Sequence, residues 1–191
     1  MKASGWSFEE VTADRVVLVS DAGEVLAGSG ARHVEYPIHT RVVAARPDVQ
    51  AVVHTHSPAA TAFAALDVPL RAVSHDGVEF AEPELPRFVR TGSLVRTAEL
   101  GDALAATIGA GVGCLVPQHG LVTVGPDLAT AVMRAVLLDR ACRTQLLAMA
   151  AGELRRWSDS DELALKRDEV WPPSQLHAGY RQLCRLAGAP S

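Results

Sequence analysis

The sequence predicts an α/β or α+β sandwich built on a substantially antiparallel sheet, and three observations carry that expectation. Short runs of β-branched residues alternate with longer stretches whose apolar residues recur at helical spacing. Turn-forming residues close the gaps between many of these runs. Strands and helices mixed in this way, several of them joined by short turns, favour antiparallel pairing beneath a cover of helices.

The elements follow in order. Arg15 to Ser20 is a β-branched run ending at the turn Asp21-Ala22-Gly23-Glu24, and Val25 to Gly28 returns as its hairpin partner. From Tyr36 to Arg46 the pattern is helical, with Pro37 suited to the first turn and Pro47 ending it. Ala51 to His56 is a strand that flows into a helix from Ser57 to Leu66. Ser57 is placed there as the N-cap and Pro58 at the first helical position. Arg71 to His75 reads as another strand, and Ala98 to Ile108 as a helix closed by Gly109. Cys114 to Gly120 and Leu121 to Gly125 form a strand pair or one strand bent around Gly120. Asp127 opens the longest helix, reaching at least Ala151, and two more helices cover Asp159–Val170 and Pro173–Leu186.

No linker or repeat divides the 191 residues, so residues 1–191 are expected to form a single domain. A content of 48% hydrophobic and 21% charged residues supplies an ordinary core without staples. The net charge of -4 offers no bulk attraction to nucleic acid or to an anionic membrane. Cys114, Cys142 and Cys184 lie far apart and lack CxxC spacing, which fits reduced thiols rather than a disulfide framework. The first residues hold no apolar signal region, and no apolar run reaches the ~20 residues needed to span a bilayer. A soluble cytoplasmic chain is the expectation.

The histidines point to chemistry. Side chains alternate along a strand, so His54 and His56 leave the same face, with Thr55 on the other. Two imidazoles on one face can share a metal ion. His119, between an apolar strand and Gly120, is the candidate third ligand. A His-x-His pair alone names no reaction. Glu35, at the start of the preceding helix, reads either as an acid favoured by the helix dipole or as a ligand or proton shuttle beside the histidines. Sequence spacing leaves the distance between that helix start and the strand end open.

The pattern resembles the class II aldolase/adducin family. The matching residues are Glu35-Tyr36-Pro37-Ile38-His39, then Arg46-Pro47-Asp48 through His54-Thr55-His56-Ser57-Pro58, then Leu115-Val116-Pro117-Gln118-His119-Gly120 through Gly125, within a similarity spanning most of residues 4–155. The resemblance implies a three-layer α/β/α sandwich with a central, mainly antiparallel sheet, and a homotetramer with active sites between subunits. It implies His54, His56 and His119 as zinc ligands and Glu35 as the catalytic acid/base. The implied activity is a metal-dependent lyase that breaks a C–C bond in a small-molecule substrate through a metal-stabilised enediolate or enolate. Three imidazoles suit Zn2+ best, and Mn2+, Fe2+, Co2+ or Ni2+ can occupy the same set.

The sequence departs from the family's sugar-phosphate branch. Those enzymes carry an N-terminal Gly-Asn-x-Ser segment, a Ser-Gly turn and paired serines before the catalytic glutamate. Here Ser4-Gly5 resembles the turn, the first segment would precede Met1, and Arg32-His33-Val34 stands where the serines would be. Ser4, Gly5, Arg32 and His33 are therefore the candidate substrate-binding residues, in a domain expected to lack the family's usual N-terminal extension. Ser74-His75-Asp76-Gly77, Leu85 to Phe88, Leu94 to Thr97 and Arg140 to Gln145 resemble the branch that decarboxylates hydroxylated aromatic acids. By that likeness His75 is a candidate proton-transfer residue, although Asp76-Gly77 also reads as a plain turn. Arg87 and Arg96 are candidate carboxylate anchors. His177 and Tyr180 share one helix face, and related enzymes use such C-terminal residues from a neighbouring subunit, which makes Tyr180 a candidate proton donor.

Decarboxylation of a hydroxy-aromatic or oxo acid is thus slightly preferred over sugar-phosphate aldol cleavage, with epimerisation or dehydration a third outcome. Adducin-like proteins keep the fold as a non-catalytic interaction module without the metal ligands. Retention of three histidines and the glutamate favours an enzyme.

Overall fold

In the computed structural model, which describes residues 1–188, the chain opens with a small antiparallel hairpin of β1 (Leu18–Val19) and β2 (Val25–Ala27). The strand expected from Arg15 is shorter than its composition suggests. Ala13–Arg15 is a 3-10 turn. Val16 bridges to Lys2, and Val17 exchanges hydrogen bonds with Met1 at 2.8 Å each way. β-Branching favours extended backbone without choosing its partner. Ala3 bridges in turn to Arg32, so the amino terminus lies beside the segment that leads to Glu35.

Next come α1 (Tyr36–Ala45), β3 (Ala51–Thr55) and α2 (Pro58–Ala64). Pro47 disfavours helical backbone at the residue before it, and Arg46 is extended, at φ -132°. Its guanidinium then grips Asp48 through two bonds of 2.8 and 2.6 Å, fixing the approach to β3. Ser57 caps α2, its hydroxyl accepting from the Ala60 N–H at 3.3 Å.

The expected strand at Arg71–His75 does not form. The Gln145 carboxamide, 1% exposed, takes the place of a neighbouring strand: it accepts from the Arg71 N–H at 2.7 Å and donates to the Pro69 carbonyl at 3.0 Å. A buried side chain thus satisfies backbone that periodicity assigns to a ladder. His75–Gly77 is a 3-10 turn leading into α3 (Val78–Ala81), a helix that sequence periodicity does not reveal.

The remaining elements are α4 (Ala98–Ile108), β4 (Gly113–Val116), β5 (Gly120–Gly125), α5 (Leu128–Ala151), α6 (Ser160–Val170) and α7 (Pro173–Leu186). Thr97, Asp127 and Asp159 each accept a backbone N–H at the start of α4, α5 and α6. No described helix is long and apolar enough to cross a membrane.

The central sheet has the order β3-β5-β4 and is antiparallel throughout. Pro86 and Phe88 add a short parallel contact to the outer edge of β4 through Leu115. Strand alternation divides the core between the two faces. Cys114, Val116, Val122 and Val124 pack with Ile38, Val42, Leu104 and Ile108 of α1 and α4. Leu115 and Leu121 pack on the opposite face with Phe63 of α2 and Leu137, Leu138 and Ala141 of α5. The α/β/α sandwich with its antiparallel sheet is therefore present. Burying each such large apolar side chain contributes roughly 1.5–3 kcal/mol. Helix α7 packs outside α5, and the Met133 side chain fits against Gly179.

Candidate metal centre

The end of β3, the β4–β5 turn and the start of α1 meet at one edge of the sandwich. His54 lies on the face of β3 that Val52 turns towards the α1/α4 core. Its Nδ1 sits 2.9 Å from the Leu121 carbonyl oxygen. A carbonyl only accepts, so Nδ1 carries the proton and Nε2 keeps its lone pair. His56, one residue beyond β3, is exposed, and its Nε2 lies 3.1 Å from the Nε2 of His54.

His119 arrives from the other side through a tight turn. Gln118 adopts φ 66°, a left-handed conformation uncommon for a non-glycine residue, and reverses the chain just before the histidine. Gly120 then brings β5 hard against the exit of β3. A Cβ there would fall against the Thr55 carbonyl oxygen and within 3.0 Å of the His56 Cα. Gly120→Ala is accordingly expected to push β5 away from β3, costing ~1–3 kcal/mol as an overpacked site does, and to weaken cation binding as well. Thermal melts and metal titrations check both; a variant matching wild type in both would remove this role for the glycine.

Glu35 completes the group. It is 2% exposed, and its Oε1 accepts the Val95 backbone N–H at 2.8 Å. That bond leaves Oε2 facing the histidines, 3.4 Å from His119 Nε2 and 3.8 Å from His54 Nε2. The ligand atoms of Glu35, His54, His56 and His119 all lie within 4.8 Å of one another.

The four side chains fit a divalent cation. Tetrahedral ligands at ~2.0–2.1 Å from zinc stand roughly 3.3 Å apart, close to the 3.1 Å between His54 and His56 Nε2. Both ring nitrogens of His119 are buried without a hydrogen-bond partner, and a cation would accept the lone pair of one of them. Burial lowers the pKa of His54 to about 4 and lowers that of His119 as well, which keeps both rings neutral and able to coordinate.

Burial likewise holds His39, whose Nδ1 faces the Val52 carbonyl at 3.2 Å, at about 4 rather than 6.5. The fold keeps this ring neutral while the unfolded chain takes up its proton below pH 6.5. Stability of the metal-free protein is therefore expected to fall as pH drops from 6.5 towards 4, by on the order of 3 kcal/mol from His39. Urea unfolding across that range measures it, and a flat profile would contradict it.

Of the other residues singled out by sequence, Ser4, Gly5, Arg32 and His33 lie together along the segment that leads to Glu35, and the rest lie elsewhere. The Ser4 N–H donates to the Ala31 carbonyl, and Gly5 forms an exposed turn beside it at φ 85°. Arg32 stacks over the Tyr36 ring at 4.0 Å and donates to the Gly23 carbonyl. His33 Nδ1 accepts the Glu35 N–H at 3.3 Å. Arg32 thus ties the first hairpin to the start of α1, and His33 supports the backbone at Glu35. Arg87 covers the Phe63 ring and donates to the Val68 carbonyl, and Arg96 is exposed. His75 is exposed outside the cluster, its carbonyl accepting from the Trp171 indole at 3.0 Å.

Tyr180, partly buried on α7, packs within its own chain on the core that includes α5, and burial raises its pKa. Its neighbour His177 bonds Asp127 at 3.0 Å, just past the end of β5 remote from His119. Six residues of β5 make that separation about 17 Å. The Val95 amide and the Leu121 carbonyl, which orient Glu35 and His54, carry no side-chain signal that sequence reading could have used.

Comparison with known proteins accords with this architecture. The profile of the Class II Aldolase and Adducin N-terminal domain matches residues 1–146. The chain is 36% identical over 148 residues to decarboxylase NovR of Streptomyces niveus, covering 76% of this chain and 54% of the relative. It is 31% identical over 144 residues to a 3,4-dihydroxyphthalate decarboxylase of Arthrobacter keyseri, covering 73% and 57%. The chain thus spans little more than half the length of these curated relatives. An L-fuculose 1-phosphate aldolase structure from Glaciozyma antarctica PI12 superposes with a TM-score of 0.75 at 27% identity, over 90% of this chain and 68% of that one. The chain belongs to the class II aldolase and adducin family.

Proposed function

We propose that the protein is a divalent-metal-dependent carbon–carbon lyase that decarboxylates a small hydroxy-aromatic or oxo acid. The observation that carries this reading is the Glu35–His54–His56–His119 group, buried at Glu35 and His119, with the unpartnered nitrogens of His119. His54, His56 and His119 would hold the cation, with zinc the best match to three imidazoles. A bound cation would polarise adjacent substrate oxygens and draw in the electron pair released when the neighbouring C–C bond breaks.

The chain's own groups supply the rest. Glu35 Oε1 is committed to the Val95 amide, so proton transfer falls to Oε2, which faces the histidines. Burial lowers the proton affinity of His54 and His119, which favours their neutral, ligating forms. Arg32 and His33 stand where paired serines would precede the glutamate, and each already supports the start of α1 through one ring or guanidinium nitrogen, which disfavours a phosphorylated substrate. Similarity to two decarboxylases at 36% and 31% identity supports the same preference. A homotetramer with sites between subunits, inferred from the family resemblance, would let Tyr180 act as a proton donor from a second copy.

The competing reading is aldol cleavage of a sugar phosphate, favoured by the superposition on a fuculose phosphate aldolase. Carbon dioxide and aldehyde release measured in parallel over panels of hydroxy-aromatic acids, oxo acids and phosphorylated sugars separates the two. Carbon dioxide from an acid is the expected result; aldehyde from a phosphorylated ketose with no carbon dioxide from any acid would overturn it.

A further inference from the structure

Three supports hold the histidines, and they are unequal. His54 is fixed by the β3–β5 ladder and by the Leu121 carbonyl. His119 is buried in a turn that Gly120 locks against β3. His56 is exposed, lies one residue past the last ladder pair, and has His54 Nε2 as the only partner within hydrogen-bond range of its ring among the described residues. Its backbone is held on one side by the close approach of Gly120 and on the other by the next residue, Ser57.

Ser57 is anchored at both ends. Its carbonyl accepts the Thr61 N–H at 2.9 Å and the Thr61 hydroxyl at 2.7 Å, the first turn of α2. Its hydroxyl accepts the Ala60 N–H at 3.3 Å and donates its own proton to Asp139 Oδ1 on α5. The two hydroxyl bonds are complementary, one received and one given, so they define its rotamer. Asp139 reaches this point because α5 starts beyond the far end of β5 and runs back across it. Twelve residues from Asp127 to Asp139 at ~1.5 Å each, about 18 Å, match the length of β5.

We infer that Asp139 is a positioning residue for the candidate metal centre, holding His56 in place through the Ser57 hydroxyl. The inference rests on the metal reading of the four-residue group. It needs an acceptor at position 139 rather than a charge, which separates it from a simple Coulombic attraction between Asp139 and the cation. Loss of a group that orients a metal ligand lowers metal affinity by ~10–100-fold.

The test is a competition titration of Zn2+ and Co2+ against a chromophoric chelator, with thermal melts of the metal-free proteins. Asp139→Ala and Ser57→Ala are each expected to weaken binding ~10–100-fold, with the double variant no weaker than the worse single one. Asp139→Asn, which keeps an acceptor oxygen for the hydroxyl, is expected to bind within a few-fold of wild type. The melts identify any variant whose loss reflects unfolding, and for such a variant the Asp139→Asn and Ser57→Thr proteins carry the comparison. Wild-type affinity in both alanine variants, additive losses in the double variant, or an asparagine variant as weak as alanine would each overturn the inference. Failure of the wild-type protein to take up either cation would instead overturn the metal reading beneath it.

Discussion

His54→Ala is expected to abolish uptake of a divalent cation and all turnover while leaving the chain folded. The side chain is 9% exposed and central to the group: its Nε2 neighbours both His56 Nε2 at 3.1 Å and Glu35 Oε2 at 3.8 Å. Two imidazoles and a carboxylate would remain, with the carboxylate still tied to the Val95 amide. The loss should exceed the ~10–100-fold seen when a ligand merely loses its supporting partner. Folding should persist because β3 stays paired along five positions of β5, from Ala51–Gly125 to Thr55–Leu121. Metal analysis of the purified variant, with circular dichroism as the folding control, gives the answer. Stoichiometric metal in this variant would refute the assigned ligand set.

Glu35→Gln is the second large effect, and its signature is opposite. Glutamine keeps an oxygen that can accept the Val95 N–H, so the Val95 backbone and the start of α1 should hold their positions. The three imidazoles are untouched and cation binding is expected to survive. What disappears is the oxygen that takes and returns a proton, a contribution worth ~10²–10⁴-fold in rate. Turnover in the metal-loaded variant should therefore fall by about that factor with little change in melting temperature. Undiminished kcat would remove Glu35 from proton transfer and leave it a structural acid at a helix start.

These two residues also mark how far sequence carries. The His-x-His spacing predicts His54 and His56 on one strand face because alternation in a strand is strictly local. Helix starts at Ser57, Thr97, Asp127 and Asp159 are legible for the same reason. The union of Glu35 with the histidines is not legible from spacing and comes only with the family resemblance: it depends on α1 lying over β3 and on the turn at Gln118. The Arg71–His75 strand fails because Gln145, far along the chain, satisfies that backbone from within a helix. Arg32 and His33 read as anion-binding residues by chemistry alone, yet their neighbours Gly23, Tyr36 and Glu35 draw them into local support. Their availability to a ligand depended on a hairpin whose docking no periodicity encodes.

The sidedness of the sheet gives the candidate centre a mechanical meaning. Glu35 comes with the α1/α4 layer, His54 and His119 come with the sheet, and His56 is tethered through Ser57 to α5 on the opposite side. A cation held by all of them would be a removable cross-link through three layers. Occupancy then becomes a source of cohesion: at a free concentration 100 times its dissociation constant, such a ligand adds about 2.7 kcal/mol to the folded state. In a cell short of the metal, the loss of activity and the loss of folding margin would arrive together.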